Sequence, residues 1–340
     1  MRMPGRVRLN ETVLDPIEPP LGRIIDGRGS WPGGSESRAL SRRVEQGQLE
    51  RLRPGLFRES LPPVTALEWS ERPAERRLRH VEQAVAVALT RRATVVFSHR
   101  TALAIHGFPF LPPWPDEVDV LEQPTSSRRS KRGIRTHHST FADEDVQRWG
   151  EFWVTTPART LADIALWLGP VFSVPALDAG LGRVSDQDIR TALDRAGGKR
   201  LVQATRALDF ADPLSESPGE SGSRVLMHLF GAPKPRLQVR HPSPTRGPRY
   251  FRTDFEWPEI KKIGEFDGRE KFLKDDMLGG RSAGQAVYDE KLREDALRAE
   301  GNDVARWGMP AVQRPTELRG ALVRLGIPLT RGNVRLAPLW

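Results

Sequence analysis

Residues 250–272, YFRTDFEWPEIKKIGEFDGREKF, set two short apolar runs around a proline and gather four acids, Asp254, Glu256, Glu265 and Asp267, within them. Side chains alternate between the faces of a β-strand, so Tyr250, Arg252 and Asp254 share one face of a first strand. Glu265 and Asp267 share one face of a second. Pairing of the two through a turn near Pro258–Glu259 brings Asp254 and Glu265 together near the end of a sheet, where like charges repel. The flanking segments extend the pattern: GESGSRVLMHLFG reads as a helix, RLQVRH as a strand, DEKLREDALRAEG as a long helix and DVARWG as a last strand. The order α-β-β-β-α-β predicts an α/β (α+β) sandwich.

Two hard carboxylates side by side are suited to a divalent cation. Mg²⁺ accepts one or two carboxylates and keeps several waters; it polarises a phosphate and lowers the pKa of an attacking water. Mn²⁺ shares the preference for oxygen ligands. A lysine nearby, Lys271 or Lys291, would orient that water or stabilise charge in the transition state. The alternative is that the acids cap turns and pair with Lys261, Lys262, Arg269 and Lys271.

Composition narrows the function classes. The 340 residues suffice for two or three domains. Cysteine is absent, which excludes disulfides, thiolate zinc sites and cysteine nucleophiles, so any metal sits on oxygen or imidazole. No apolar run approaches the roughly 18 residues that span a bilayer, and the first residues, MRMPGRVRLNETVLDP, contain no apolar stretch of the secretory kind. The expectation is a cytoplasmic protein without a membrane partner. A formal charge of +9, from 53 Lys and Arg against 44 Asp and Glu, favours polyanionic partners through counterion release; free use of arginine by the genome produces the same excess.

Upstream, residues 1–25 are proline-rich and aperiodic, and read as a loose arm. In residues 26–62 the segment SESRALSRRVEQGQLERLRPGLFRES places Leu40 and Val44 at helical spacing, stops at Gly47, and alternates before a turn at Pro54–Gly55. A helix followed by a small hairpin is the ending of a winged helix-turn-helix. Arg38, Arg42 and Arg43 lie on the helix and Arg51, Arg53 and Arg58 on the wing, positions from which DNA phosphates can be met; a solvated arginine face is the other reading.

Residues 74–212 form a mixed middle domain. A helix over 74–92 carries Leu78, Val81, Val85 and Leu89 on one side, and 93–109 reads as a strand, a Ser98 cap and a short helix ended by Gly107. His99 and His106 stand seven apart with no acid between them, poor geometry for a shared metal. Five cations from Arg128 to Arg135 make a basic loop that either touches phosphates or is simply solvated. His137 and His138 project to opposite faces of the strand that follows. TTPARTLADIALWL starts a helix at a threonine cap, and the Ser, Pro and Gly of 211–224 mark a linker into the last domain, 216–340.

The arrangement of Asp in one strand and Glu two residues before a third polar group in the next resembles the PD-(D/E)xK nuclease superfamily. TDFEWP, GEFDG, EKLREDALRAEG and DVARW together are similar to a domain related to very-short-patch-repair endonucleases, over about 216–310. The resemblance implies a restriction-endonuclease-like domain with Asp254 and Glu265 as metal ligands, Glu220 as a supporting carboxylate and Gln238 facing the site. It departs from the superfamily pattern at Asp267, where lysine is usual, and at Glu270, where the related domain often carries histidine; Lys271 is the first base available and Lys291 a substitute. LSRRVEQGQLERLRPGLFR, VVFSHRTALAIHGFP and TTPARTLADIA, over about 26–180, resemble AbiEi-type antitoxins. That resemblance implies a DNA-binding repressor with DNA and a cognate toxin as partners.

Overall fold

The computed structural model describes residues 15–29, 34–60, 73–91, 93–111, 113–244, 249–267 and 283–332. They fall into two compact units, one of the described residues up to Trp167 together with Arg183–Asp209, the other of Leu168–Gly182 together with residues from Phe210 onward.

In the first unit α1 (Ser35–Glu45) stops before Gly47, which takes φ +70°, and the chain enters a hairpin of β2 (Leu49–Arg53) and β3 (Leu56–Glu59). Gly55 closes the hairpin at φ +76°, a conformation that costs a side-chain-bearing residue about 1 kcal/mol or more. A two-residue strand, β1 (Ile25–Asp26), pairs with β3 and completes the order β1-β3-β2; two residues are too few to show a period.

The helix expected over 74–92 is α2 (Pro73–Thr90). Val81 and Val85 are fully buried as their spacing predicts, but so, nearly, are Arg77, His80 and Glu82. Arg77 donates to the carbonyls of Ala104 and Ile105, and the His80 ring bonds Thr101 Oγ1 at 2.9 Å and the Pro115 carbonyl at 2.8 Å. Burial pushes the His80 pKa down to about 4, so the ring is neutral.

Beyond it come β4 (Val96–Phe97), α3 (His99–His106), β5 (Val118–Glu122), β6 (Ile134–His138), β7 (Val146–Trp149), β8 (Phe152–Thr155) and α4 (Pro157–Trp167). After α5 (Pro170–Gly180), which belongs to the second unit, α6 (Asp186–Ala196) and α7 (Leu201–Phe210) follow. The strands form one mixed sheet in the order β6-β5-β4-β8-β7. Its core is Val81, Val85, Phe97, Ile105, Val118, Val120, Trp149 and Val154. Thr156 Oγ1 accepts from the Arg159 N–H, the expected threonine cap. Ser98 occupies the cap position of α3, yet its hydroxyl bonds His99 Nδ1 at 3.0 Å and makes no cap bond.

The second unit reproduces the α-β-β-β-α-β order as α8 (Pro218–Phe230), β9 (Arg236–Pro242), β10 (Tyr250–Trp257), β11 (Lys262–Phe266), α9 (Ala283–Ala299) and β12 (Asp303–Trp307), then adds α10 (Met309–Gln313) and α11 (Pro315–Leu325). The sheet order is β12-β11-β10-β9, with β9, β10 and β11 antiparallel and β12 parallel to β11. A parallel neighbour requires a crossover, and α9 supplies it. Leu226, Phe230, Phe255, Ile263, Val312 and Leu322 fill the core.

The Ser/Pro/Gly stretch of 211–224 is a linker only in part. Ser217 caps α8 by accepting from the Glu220 N–H, Pro218 starts the helix, and Gly219, Ser221 and Ser223 are buried. A Cβ on Gly219 would stand 1.9 Å from Phe266 Cζ, and Ser223 Oγ accepts from Trp307 Nε1 at 2.9 Å. Small residues here let a helix lie close on β11 and β12. The division at Asp212 also differs from the contacts: α5 groups with the second unit, where the Asp178 carboxylate receives Arg224 at 2.8 and 2.9 Å, a pairing far apart in sequence.

Candidate functional site

The registers of β9, β10 and β11 build the carboxylate site. Phe255 pairs with Gly264 and Glu256 with Ile263, so one step further along the same ladder Asp254 faces Glu265. On its other side Asp254 faces Gln238, between the pairs Thr253–Val239 and Phe255–Leu237. Gln238 adopts φ +51° within a strand, a strained conformation of the kind that gathers at functional sites. Its amide donates to Glu220 Oε2 at 3.1 Å and Asp254 Oδ1 at 3.4 Å, while Asp254 Oδ2 accepts from the Phe266 N–H at 2.7 Å. Glu220, Gln238, Asp254 and Glu265 thus converge as the sequence reading expects.

Glu220 has a second task. At the third position of α8 it accepts from Ser217 Oγ at 2.8 Å and from the Glu216 N–H at 2.9 Å, tying the helix start to the residue that precedes its cap. It is 2% exposed.

Glu265 holds the perturbed charge. Burial, countered by the Arg306 guanidinium but reinforced by Glu290, Asp254 and Glu294, pushes its pKa up to about 7. Arg306, beside Glu265 in the β11–β12 register, donates to Glu265 Oε2 at 2.8 Å and reaches Glu290 and Glu294 of α9. Burial works against the Arg306 charge, but these carboxylates outweigh it and raise its pKa.

The expected lysine is not delivered by α9. Glu290 and Glu294, one helical turn apart, both face Arg306, and Lys291, rotated about 100° from Glu290, is exposed without a bond to the site among the described residues. The cation at Glu265 is therefore Arg306, not Lys291. Asp267 is exposed at the end of β11; its N–H bonds the Trp307 carbonyl, and among the described residues its carboxylate makes no bond to the cluster. Lys271, with Gly268, Arg269 and Glu270, lies outside the described residues. Among those described, no three His, Asp or Glu side chains form a metal-binding group.

Of the arginines expected to meet DNA, Arg38, Arg42 and Arg51 are exposed and Arg43 half-buried, without ion pairs among the described residues; Arg51 lies 5.5 Å from the Phe57 ring centre. Arg53 is half-buried beside the basic loop, 3.5 Å from the Gly133 carbonyl. Arg58 departs from the expectation. It is 5% exposed, with Glu82 at 2.8 Å and Glu50 at 2.5 Å, because its place in β3 turns it toward α2.

The first unit also contains a polar cluster that spacing did not reveal. Asp119 on β5, fully buried, accepts from Arg100 through two bonds of 2.6 and 2.9 Å and from His137 at 2.9 Å. His99, at φ +49°, stacks on His137 with ring centres 3.5 Å apart. Burial, with His137 adding to it, drives the His99 pKa well down. His138 on the opposite face is exposed, as strand alternation requires.

No family model matches this sequence. Two uncharacterised proteins of Mycobacterium tuberculosis, MT2308 of strain CDC 1551 / Oshkosh and Rv2248 of strain ATCC 25618 / H37Rv, are each 30% identical to it over 177 residues, which is 50% of this chain and 61% of theirs. Among solved structures, the crystal structure of the RV2827C protein from Mycobacterium tuberculosis is similar over 59% of this chain and 80% of that one, with 14% identity and a TM-score of 0.35. A likeness of that degree carries no functional argument.

Proposed function

We propose that the chain acts on DNA, with Asp254 and Glu265 as the ligands of a divalent cation, Mg²⁺ or Mn²⁺, in a site that hydrolyses phosphodiesters. The observation that supports this reading is the placement of two carboxylates on adjacent strands, one of them desolvated enough to resist ionisation. Two carboxylates and several waters satisfy Mg²⁺. Such an ion supplies Lewis-acid polarisation of the phosphate and a more acidic water. Gln238 and the Phe266 N–H hold the Asp254 carboxylate in one orientation, and Arg306 is placed to take the charge of a phosphate once Glu265 is engaged elsewhere. The exposed arginines of α1 and Arg51 on the hairpin would provide phosphate contacts in a winged helix-turn-helix manner.

A second reading is supported by Arg306 itself. A guanidinium already pairs with Glu265, and among the described residues no lysine reaches the pair, as in a nuclease-type domain that binds without cutting. On this reading the protein is an AbiEi-like antitoxin or transcriptional regulator, with DNA and a cognate toxin as partners.

Plasmid nicking in Mg²⁺ or Mn²⁺ separates the two. Hydrolysis that disappears with Asp254→Ala carries the first reading; equal background in both proteins removes it. Promoter binding that survives both Asp254→Ala and EDTA supports the second, and binding unchanged when Arg42 and Arg51 are both replaced by alanine would remove the hairpin and α1 as the contact surface.

A further inference from the structure

A cleft of about 640 Å³ opens in the first unit where the β2–β3 hairpin, the end of α2 and the basic loop before β6 meet. Four cations, Arg28, Arg53, Arg91 and Lys131, line it together with apolar surface from Pro54 and Leu89, and among the described residues no carboxylate is part of the wall. Buried arginines elsewhere in this unit have acid or carbonyl partners: Arg58 meets Glu82, Arg100 meets Asp119, Arg159 meets Asp145 and Asp163, and Arg77 donates to the carbonyls of Ala104 and Ile105. Arg28 follows that rule, since Asp26 receives it at 2.5 Å and the Leu89 carbonyl accepts from it as well.

Among the described residues neither Arg53, Arg91 nor Lys131 has an acidic partner. Arg53 is the most exacting case. Its Nε is buried with no hydrogen-bond partner, and among the described residues its guanidinium makes one polar contact, the long 3.5 Å approach to the Gly133 carbonyl. Burial, and then the facing Arg91, work against its charge. Gly133, at φ +74°, leaves room for this approach; a Cβ there would stand 3.3 Å from Arg53 NH2. A half-buried guanidinium held against another cation costs free energy unless an anion completes the set. Capping of the α2 C-terminus accounts for Arg28, but not for Arg53 or Lys131, which come from other elements.

We propose that this cleft binds the phosphate of a nucleotide, either free or within a nucleic-acid strand, with Arg53, Arg91 and Lys131 on the phosphate and Pro54 and Leu89 against the sugar or base. Arginine forks recognise phosphate oxygens in pairs, and the apolar wall favours a ligand with an organic body over a bare ion. The cleft lies in the first unit and the Asp254–Glu265 pair in the second, so each assignment can fail without the other.

The test uses the full chain and two probes, adenosine diphosphate by calorimetry and a short duplex DNA by fluorescence anisotropy over a range of salt. The variants are Arg53→Gln with Arg91→Gln, Lys131→Gln alone as a loop-tip change that leaves the core intact, and Arg206→Gln as an exposed charge-matched control. Adenosine diphosphate binding weakened at least about tenfold in the double variant, measurably in Lys131→Gln and not in the control, is the expected result for a free nucleotide ligand. Binding of duplex alone, with the slope of log K against log salt reduced by about 0.9 for each cation removed, assigns the cleft to strand phosphates. Unchanged binding of both probes in the double variant, an equal loss in Arg206→Gln, or no binding of either probe by the unaltered protein overturns the proposal.

Discussion

Replacing Glu265 by glutamine tests the most perturbed charge of the carboxylate site. Its pKa, raised from 4.5 to about 7 by burial beside Glu290, Asp254 and Glu294, links protonation to folding. Between those values the folded protein retains a proton that the unfolded chain has lost, so stability falls as pH rises; the full contribution is present below pH 4.5 and gone above about pH 7. At about 1.4 kcal/mol for each pH unit the loss is roughly 3 kcal/mol, a large share of the 5–15 kcal/mol typical of a domain. The side chain is 16% exposed, so solvent screening reduces this only modestly. Glutamine keeps the shape and cannot ionise, and the variant is expected to lack this pH dependence. Hydrogen exchange of the β10 and β11 amides, corrected for intrinsic rates, reports on this unit separately from the other. Protection in the unaltered protein should fall by about two decades from pH 4.5 to 7.5, and that of Glu265→Gln by much less. If both proteins lose protection in parallel, the carboxyl is not desolvated where the structure places it. A divalent cation bound at the site favours the ionised form, so saturating Mn²⁺ should flatten the profile of the unaltered protein as well.

Two further substitutions test the packing that surrounds the candidate surfaces. Arg58→Ala removes one of two guanidinium partners of Glu82, which is 2% exposed and keeps Arg23 at 2.6 Å, and should lower stability by about 1.5–3 kcal/mol, whereas Arg42→Ala on the exposed face of α1 should remain within about 0.5 kcal/mol in the same urea titration. Equal stability of the two variants would show that Arg58 is not buried in an ion pair. Gly219→Ala is a test of sign: on an open helix the change stabilises by up to about 1 kcal/mol, but the new methyl would meet Phe266 at 1.9 Å, so a net destabilisation of about 1–3 kcal/mol is expected by chemical denaturation. A more stable Gly219→Ala would remove the close contact between α8 and β11.

Much of the site was legible because its decisive geometry is local. Alternation along 250–257 and 262–266 fixes which side chains share a face, and the short connection at Pro258–Ile260 fixes the register that sets Asp254 opposite Glu265. The stops at Gly47, Gly55 and Gly107 were readable for the same reason, since each rests on one residue at positive φ. Gln238 and Glu220 were reached through family resemblance, yet the left-handed backbone of Gln238 and its bond to Glu220 are facts of the folded chain. The misreading of 211–224 has a plain cause: serine and glycine look alike in a flexible connection and in a tightly packed helix, and only Phe266 and Trp307 pressing on them distinguish the two.

Local periodicity therefore settled which elements form and which residues point the same way, because strands and helices repeat over a few residues. It did not settle which charges meet. Arg306 reaches Glu265 because α9 carries the chain across and returns β12 parallel beside β11; Arg58 is buried because β3 lies against α2; and Asp119 collects Arg100 and His137 from separate elements. Those partners are fixed by strand order and burial, which depend on the whole chain closing on itself.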